Sequence, residues 1–174
     1  EFMTLNLNEV VQQVNGEFAE RFEGRNLDLI CILQPEPLLI RADSRRIWRV
    51  LENLYVNVCK YAMPGTRVYV DAIKKDGKIQ LSIKNISENP LNFQADELTE
   101  RFIRGDVSRS TEGSGLGLSI AKNLTVLQHG SFNIYLDGDL FKVTITFDEA
   151  VKEKKPMPPM IVPEAVQEEA QQDA

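Results

Sequence analysis

Asn53, Asn57 and Lys60 stand at i, i+4 and i+7 within a stretch whose apolar residues keep a helical period. Each helical residue advances about 100°, so Ile47, Val50, Leu51, Leu54 and Val58 share one stripe. Asn53, Asn57 and Lys60 share another, with Tyr61 at its edge. A face that only meets water favours Lys, Glu or Gln, because Asn costs roughly 0.5 kcal/mol or more relative to Ala inside a helix. Paired amides in such a place point to carbonyl oxygens aimed at a hard cation, and the ammonium of Lys60 to a phosphate. For these residues alone, a solvated helix face is the competing reading.

A second stretch carries complementary chemistry. Gly113-Ser114-Gly115-Leu116-Gly117-Leu118 closes a polar segment and opens an apolar helix. Glycines there let backbone approach an anion, and the helix start offers free N–H groups and a positive dipole end. No Gly-Lys-Ser/Thr follows, so the pattern is not a Walker loop. It is GxGxG rather than the GxGxxG of a Rossmann loop, and it leaves a long polar segment instead of a strand. That segment, residues 105–114, suits a lid over a ligand. Arg101, Arg104 and Arg109 put positive charge beside it, or are surface arginines. A flexible glycine-rich connector is the bland alternative for the loop.

The elements that must position these residues follow from periodicity. Helices are expected over 8–23, about 44–62 with Asp43 as N-cap, 95–103 and 116–128. Strands are expected over 27–33 and 38–42, with a turn at Pro35–Pro37 between them. Residues 67–73 and 78–85 form a hairpin across Asp76-Gly77, and 131–136 and 140–147 another across Asp137-Gly138. Alternating helices and strands combined with hairpins predict a two-layer α/β sandwich, a mixed, mostly antiparallel sheet of about five strands with about three helices on one face. The 174 residues suffice for one domain, and 43% hydrophobic with 26% charged residues is the ordinary globular class.

A net charge of −6 argues against nucleic acid as partner. No apolar run approaches the roughly 20 residues of a membrane span. Cys31 and Cys59 read as reduced core thiols in a cytosolic protein, and His129, ahead of Gly130, as part of a helix C-terminus. Glu1-Phe2 ahead of Met3 has the look of a cloning scar on an excised fragment. After Phe147 the composition shifts: prolines 156, 158, 159 and 163 punctuate a stretch rich in Glu, Gln and Ala. The expected organisation is a scar at 1–2, a domain at 3–148 and an acidic, mobile tail at 149–174.

Together the two motifs resemble the ATP-binding catalytic domain of sensor histidine kinases, whose superfamily (the Bergerat fold) includes DNA gyrase, heat-shock chaperones and mismatch-repair ATPases. Asn53 to Tyr61 is similar to that family's N box, Arg101-Phe102-Ile103-Arg104 to its F box, and Gly113 to Leu118 to its second glycine box. The order and spacing match over roughly residues 4–147. The resemblance implies that Asn57, with Asn53, holds Mg²⁺ and the triphosphate. Lys60 and Tyr61 would lie near phosphate and nucleoside. Gly113, Gly115 and Gly117 would wrap the triphosphate, with Leu116 and Leu118 among the nucleotide-binding residues, and Phe102 and Arg104 would anchor and charge the lid. Asn57, Lys60 and Arg104 are the implied catalytic residues, and ATP and Mg²⁺ the implied cofactors.

One motif departs. The family's first glycine box, Asp-x-Gly-x-Gly, falls at Asn85-Ile86-Ser87-Glu88-Asn89, where Asn85 replaces the aspartate and both glycines are missing. An Asn oxygen still accepts a hydrogen bond from the adenine amino group, but without charge assistance, weaker by ~1 kcal/mol. The family's late adenine-binding threonine has no clear counterpart, since Gly138-Asp139-Leu140-Phe141 occupies that region. The resemblance further implies γ-phosphate transfer to a histidine on a separate dimerisation domain of the same protein, then to a response regulator. The fragment would belong to the cytoplasmic portion of a membrane-anchored sensor, without membrane contact of its own. A degenerate nucleotide-gated interaction module without phosphotransfer is the alternative.

Overall fold

The computed structural model of the chain describes residues 1–91 and 116–151. The expected helix over 95–103, the F box, Gly113, Gly115 and the tail beyond Val151 lie outside the described residues.

The described chain runs β1 (Phe2–Asn6), α1 (Leu7–Gly24), β2 (Asp28–Leu33), β3 (Leu39–Asp43), α2 (Ser44–Tyr61), β4 (Arg67–Lys75), β5 (Lys78–Ile86), α3 (Leu116–Leu127), β6 (Ser131–Asp137) and β7 (Leu140–Asp148). Five strands form one sheet in the order β2-β4-β5-β7-β6. Only β2 and β4 run parallel; the other pairs are antiparallel. A parallel pair needs a crossover, and the link from β2 to β4 carries β3 and α2. This is the mixed, mostly antiparallel sheet that the hairpin pattern predicts.

One face of that sheet makes the core. Along β4 and β5, Val68, Val70, Ala72, Ile79, Leu81 and Ile83 are buried at every second position, the period of a strand with one covered face. Phe141, Val143, Ile145 and Phe147 continue the layer on β7. Against it pack Val11, Val14, Phe18 and Phe22 of α1 and the predicted α2 stripe of Ile47, Val50, Leu51, Leu54 and Val58. From α3, Leu118 and Ala121 complete the cover.

Local chemistry explains several boundaries. Asp43 accepts hydrogen bonds from the backbone N–H of Arg45 and Arg46, which satisfies the start of α2 as an N-cap should. Asp76 and Gly77 both take positive φ, 53° and 72°, the geometry of a two-residue turn whose twist matches the strands. The second hairpin turns one residue later than expected. β6 runs through Asp137, and Gly138, with φ 57°, starts the turn.

Three further features depart from the sequence expectation. Phe2–Asn6 is a strand, paired antiparallel with β3 in a separate two-stranded sheet, so Phe2 lies opposite Asp43. At the end of α3 the left-handed conformation falls on His129, φ 64°, rather than on Gly130. Gly130 is required for space instead: a Cβ there would lie 2.7 Å from the Phe147 ring and 2.9 Å from the Thr125 methyl. Of the two thiols, Cys59 is buried but Cys31 is only half-buried; both are free.

Candidate functional site

The α2 helix presents its two amides as the heptad-like spacing requires. Asn53 donates from Nδ2 to the carbonyl of Arg49 at 2.8 Å, a bond within its own helix that directs the amide. Its oxygen Oδ1 is then the end that faces the neighbouring helix. A Cβ placed on Gly117 would lie 3.7 Å from that oxygen. The start of α3 therefore meets the N-box-like face of α2 directly, which joins the two stretches that the sequence singled out. One turn on, Asn57 is 9% exposed, so its amide is at the margin of the core rather than on a wet face. Lys60 is exposed and has no ion-pair partner among the described residues, and Tyr61 is half-buried. Leu118 is buried beneath the first turn of α3, anchoring the end of the glycine-rich stretch in the core. Leu116 opens that helix.

The C-terminal end of α2 is stitched to the end of β5. Met63 donates its N–H to the carbonyl of Ile86 at 2.8 Å, and Glu88 donates to the carbonyl of Tyr61 at 2.8 Å. Ala62 and Ser87 form an antiparallel bridge between them. Ser87 also donates to the carbonyl of Asp139 at 2.7 Å, which ties in the turn between β6 and β7. Lys60 and Tyr61, the altered Asn85–Asn89 segment and the region beginning at Gly138 are thus held at one end of the domain.

Asn85 sits in β5 opposite Phe141, on the face that carries Ile79, Leu81 and Ile83. It is 3% exposed, and its Oδ1 is buried with no hydrogen-bond partner among the described residues. A buried acceptor left unpaired costs ~1–3 kcal/mol. A ligand N–H that reached such an oxygen would recover that cost.

Sequence reasoning missed Arg25, which no motif marks. Its guanidinium donates from Nε to the carbonyl of Cys59 at 2.9 Å and from one terminal nitrogen to the carbonyl of Ala62 at 3.1 Å. It also reaches Glu88 at 3.4 Å. A cation at a helix C-terminus satisfies orphan carbonyls and complements the dipole. Tyr55 lies within the N-box-like stretch, which gives it no role of its own: its hydroxyl donates to Asn15 and its ring stacks on Phe22 at 5.6 Å, edge-on to Phe18 at 5.5 Å. Burial raises the Tyr55 phenol above its ordinary range, and burial also raises the Cys59 thiol, opposed by Arg21 and Arg25. Neither group ionises at neutral pH, so both serve packing.

Two shallow hollows among the described residues lie elsewhere. One is lined by Asn15, Phe22 and Leu29, the other by Asn26, Arg67 and Tyr69, and neither includes Asn53, Asn57 or Gly117. Of the space between Asn53–Asn57 and the glycine-rich stretch, only the α2 and Gly117 sides lie among the described residues. No helix among the described residues is long and apolar enough to cross a membrane.

Comparison with known proteins gives consistent matches. Residues 42–151 match the family described as histidine kinase-, DNA gyrase B- and HSP90-like ATPases. The signal transduction histidine-protein kinase BaeS of Escherichia coli (strain K12) is 30% identical over 123 residues, 70% of this chain but 26% of that protein. The chain therefore spans about a quarter of that relative's length. Among solved structures, the catalytic domain of histidine kinase ThkA superposes with a TM-score of 0.74 at 25% identity, covering 86% of this chain and 96% of that one. A structure of ThkA in complex with response regulator protein TrrA superposes with a TM-score of 0.69 at 24% identity, covering 86% of this chain and 42% of that one.

Proposed function

The chain belongs to the histidine kinase-, DNA gyrase B- and HSP90-like ATPases, and on that premise we propose that it binds Mg·ATP and donates the γ-phosphate to a histidine on a separate dimerisation domain of a sensor histidine kinase. The observation that carries this reading is the meeting of the two motifs, with Asn53 Oδ1 beside Gly117 at the start of α3. The donor set fits the ligands. Carbonyl oxygens of Asn53 and Asn57 suit a hard cation, and Lys60, without an ion-pair partner among the described residues, suits phosphate. The unpaired Asn85 oxygen suits the amino group of adenine.

In this reading Asn57 with Asn53 would hold Mg²⁺, which when bound neutralises charge on the triphosphate oxygens. Gly113, Gly115 and Gly117 would let backbone N–H groups approach the phosphates, and Lys60 would add a point charge. Phe102 and Arg104 would anchor and charge the lid. The γ-phosphorus leaves the β,γ-bridging oxygen, which stays with ADP. It bonds to the unprotonated imidazole nitrogen, and the proton on the other ring nitrogen passes to solvent. This chain contributes binding, alignment and water exclusion rather than covalent chemistry. The phosphoryl group would pass next to a response regulator; the structure of ThkA in complex with response regulator protein TrrA supports a partner of that kind. The domain would comprise residues 3–148 and act in the cytoplasm, with no nucleic-acid partner.

Asn57→Ala tests the binding step. Titration calorimetry with a non-hydrolysable ATP analogue and magnesium is expected to lose the binding heat while circular dichroism stays unchanged; an unaltered affinity rejects the assignment. The altered first glycine box favours a second reading, an interaction module that binds nucleotide without transferring phosphate. Supplying a matching dimerisation hairpin and radiolabelled ATP separates the two, since the module forms no phosphohistidine.

A further inference from the structure

Taking the nucleotide-binding reading as premise, we propose that Asn85 makes the base subsite accept either a 6-amino or a 6-oxo purine nucleoside triphosphate. The side-chain amide of Asn carries a donor and an acceptor on the same carbon, and a half-turn about its last torsion exchanges them. Whether one orientation prevails depends on what holds the amide. Asn85 is 3% exposed, and its Oδ1 has no hydrogen-bond partner among the described residues. Its cross-strand neighbour is Phe141 and its same-face neighbour on β5 is Ile83, neither of which offers a polar side-chain atom to select an orientation.

The backbone around it is already spent. The N–H of Ser87 goes to Asp139, the N–H of Glu88 to Tyr61, and the carbonyl of Ile86 accepts from Met63. At this end of β5 the Asn85 amide carries a buried oxygen with no hydrogen-bond partner among the described residues. Facing a 6-amino purine, Oδ1 accepts from the exocyclic N–H while Nδ2 can donate to the adjacent ring nitrogen. Facing a 6-oxo purine, the amide turns over: Nδ2 donates to the carbonyl and Oδ1 accepts from the ring N–H. Both bases receive the same number of bonds. A carboxylate in the same place would accept from the amino group and repel the carbonyl, since it has no donor when ionised. The exchange of a carboxylate for an amide thus widens the range of bases instead of only weakening the grip on adenine.

ATP and inosine triphosphate provide the probe pair, because their exchange replaces the 6-amino group with a 6-oxo group. Their affinities for the 174-residue chain, with magnesium, are read by displacement of a fluorescent ATP analogue. We expect the two to agree within about tenfold, whereas a site with one fixed acceptor left facing a carbonyl would separate them by up to about 150-fold. Asn85→Asp is expected to move the ratio toward ATP by about tenfold or more. Because a carboxylate at this depth can compromise folding, Asn85→Ala serves as an uncharged control, expected to weaken both nucleotides by about 5-fold or more to a similar extent. If ATP binds and inosine triphosphate is weaker by more than about tenfold in the unaltered chain, the purine inference fails while the ATP reading stands. Equal binding that neither substitution changes overturns it as well, because Asn85 would then not touch the base. If neither nucleotide binds, both readings fall.

Discussion

Replacing Arg25 with Ala removes a cation that closes the C-terminal end of α2, the helix that carries Asn53, Asn57 and Lys60. Two bonds to backbone carbonyls are lost, at 2.9 Å to Cys59 and 3.1 Å to Ala62, together with the 3.4 Å contact to Glu88. Charged hydrogen bonds contribute ~1.5–3 kcal/mol each, but the Arg25 side chain is 36% exposed, so water replaces part of what is removed. The Glu88 pair adds at most about 1 kcal/mol, because both partners are open to solvent. Taking the lower end of the carbonyl bonds and discounting it for exposure gives a loss of about 2 kcal/mol, or a fall in Tm of about 4–8 °C for a chain of this size. Urea denaturation monitored by circular dichroism measures it. Glu88→Ala should cost less than about 1 kcal/mol. Arg25→Lys should recover less than half of the Arg25→Ala loss, since an ammonium cannot reach two carbonyls in the plane of a fork. Equal losses for Arg25→Ala and Glu88→Ala would refute the reasoning, for the carbonyl bonds would then contribute nothing beyond the surface pair.

Other perturbations follow from the same packing. Gly130→Ala places a methyl 2.7 Å from the Phe147 ring and should destabilise the fold by ~1–3 kcal/mol, read as a lower Tm in a thermal melt. Tyr55→Phe keeps the stack on Phe22 but leaves Asn15 without the hydroxyl, a loss of ~1–2 kcal/mol in urea titration, whereas Tyr55→Ala also removes the ring contacts and should cost ~3–5 kcal/mol.

Much of the architecture is legible locally. The stripe of Ile47, Val50, Leu51, Leu54 and Val58 is all buried, because a 3.6-residue period fixes which side chains share a face whatever lies opposite. Asp43 as N-cap and Asp76-Gly77 as turn are equally local, since each depends on residues adjacent in the chain. The strand at Phe2–Asn6 escaped notice because its pairing partner lies at Leu39–Asp43, and nothing in five residues announces a distant edge.

For the candidate site, residue types and spacing alone single out Asn53, Asn57 and Lys60, and Gly117 with Leu118, as candidates for phosphate and cation chemistry, because helical period and glycine's conformational freedom are properties of the chain itself. That Asn53 faces Gly117, that Arg25 closes a helix ending 34 or more residues away, and that Asn85 lies buried with an unpaired oxygen were decided only by tertiary packing. Burial and hydrogen-bond satisfaction depend on which surfaces the fold brings together, and no sequence interval encodes them.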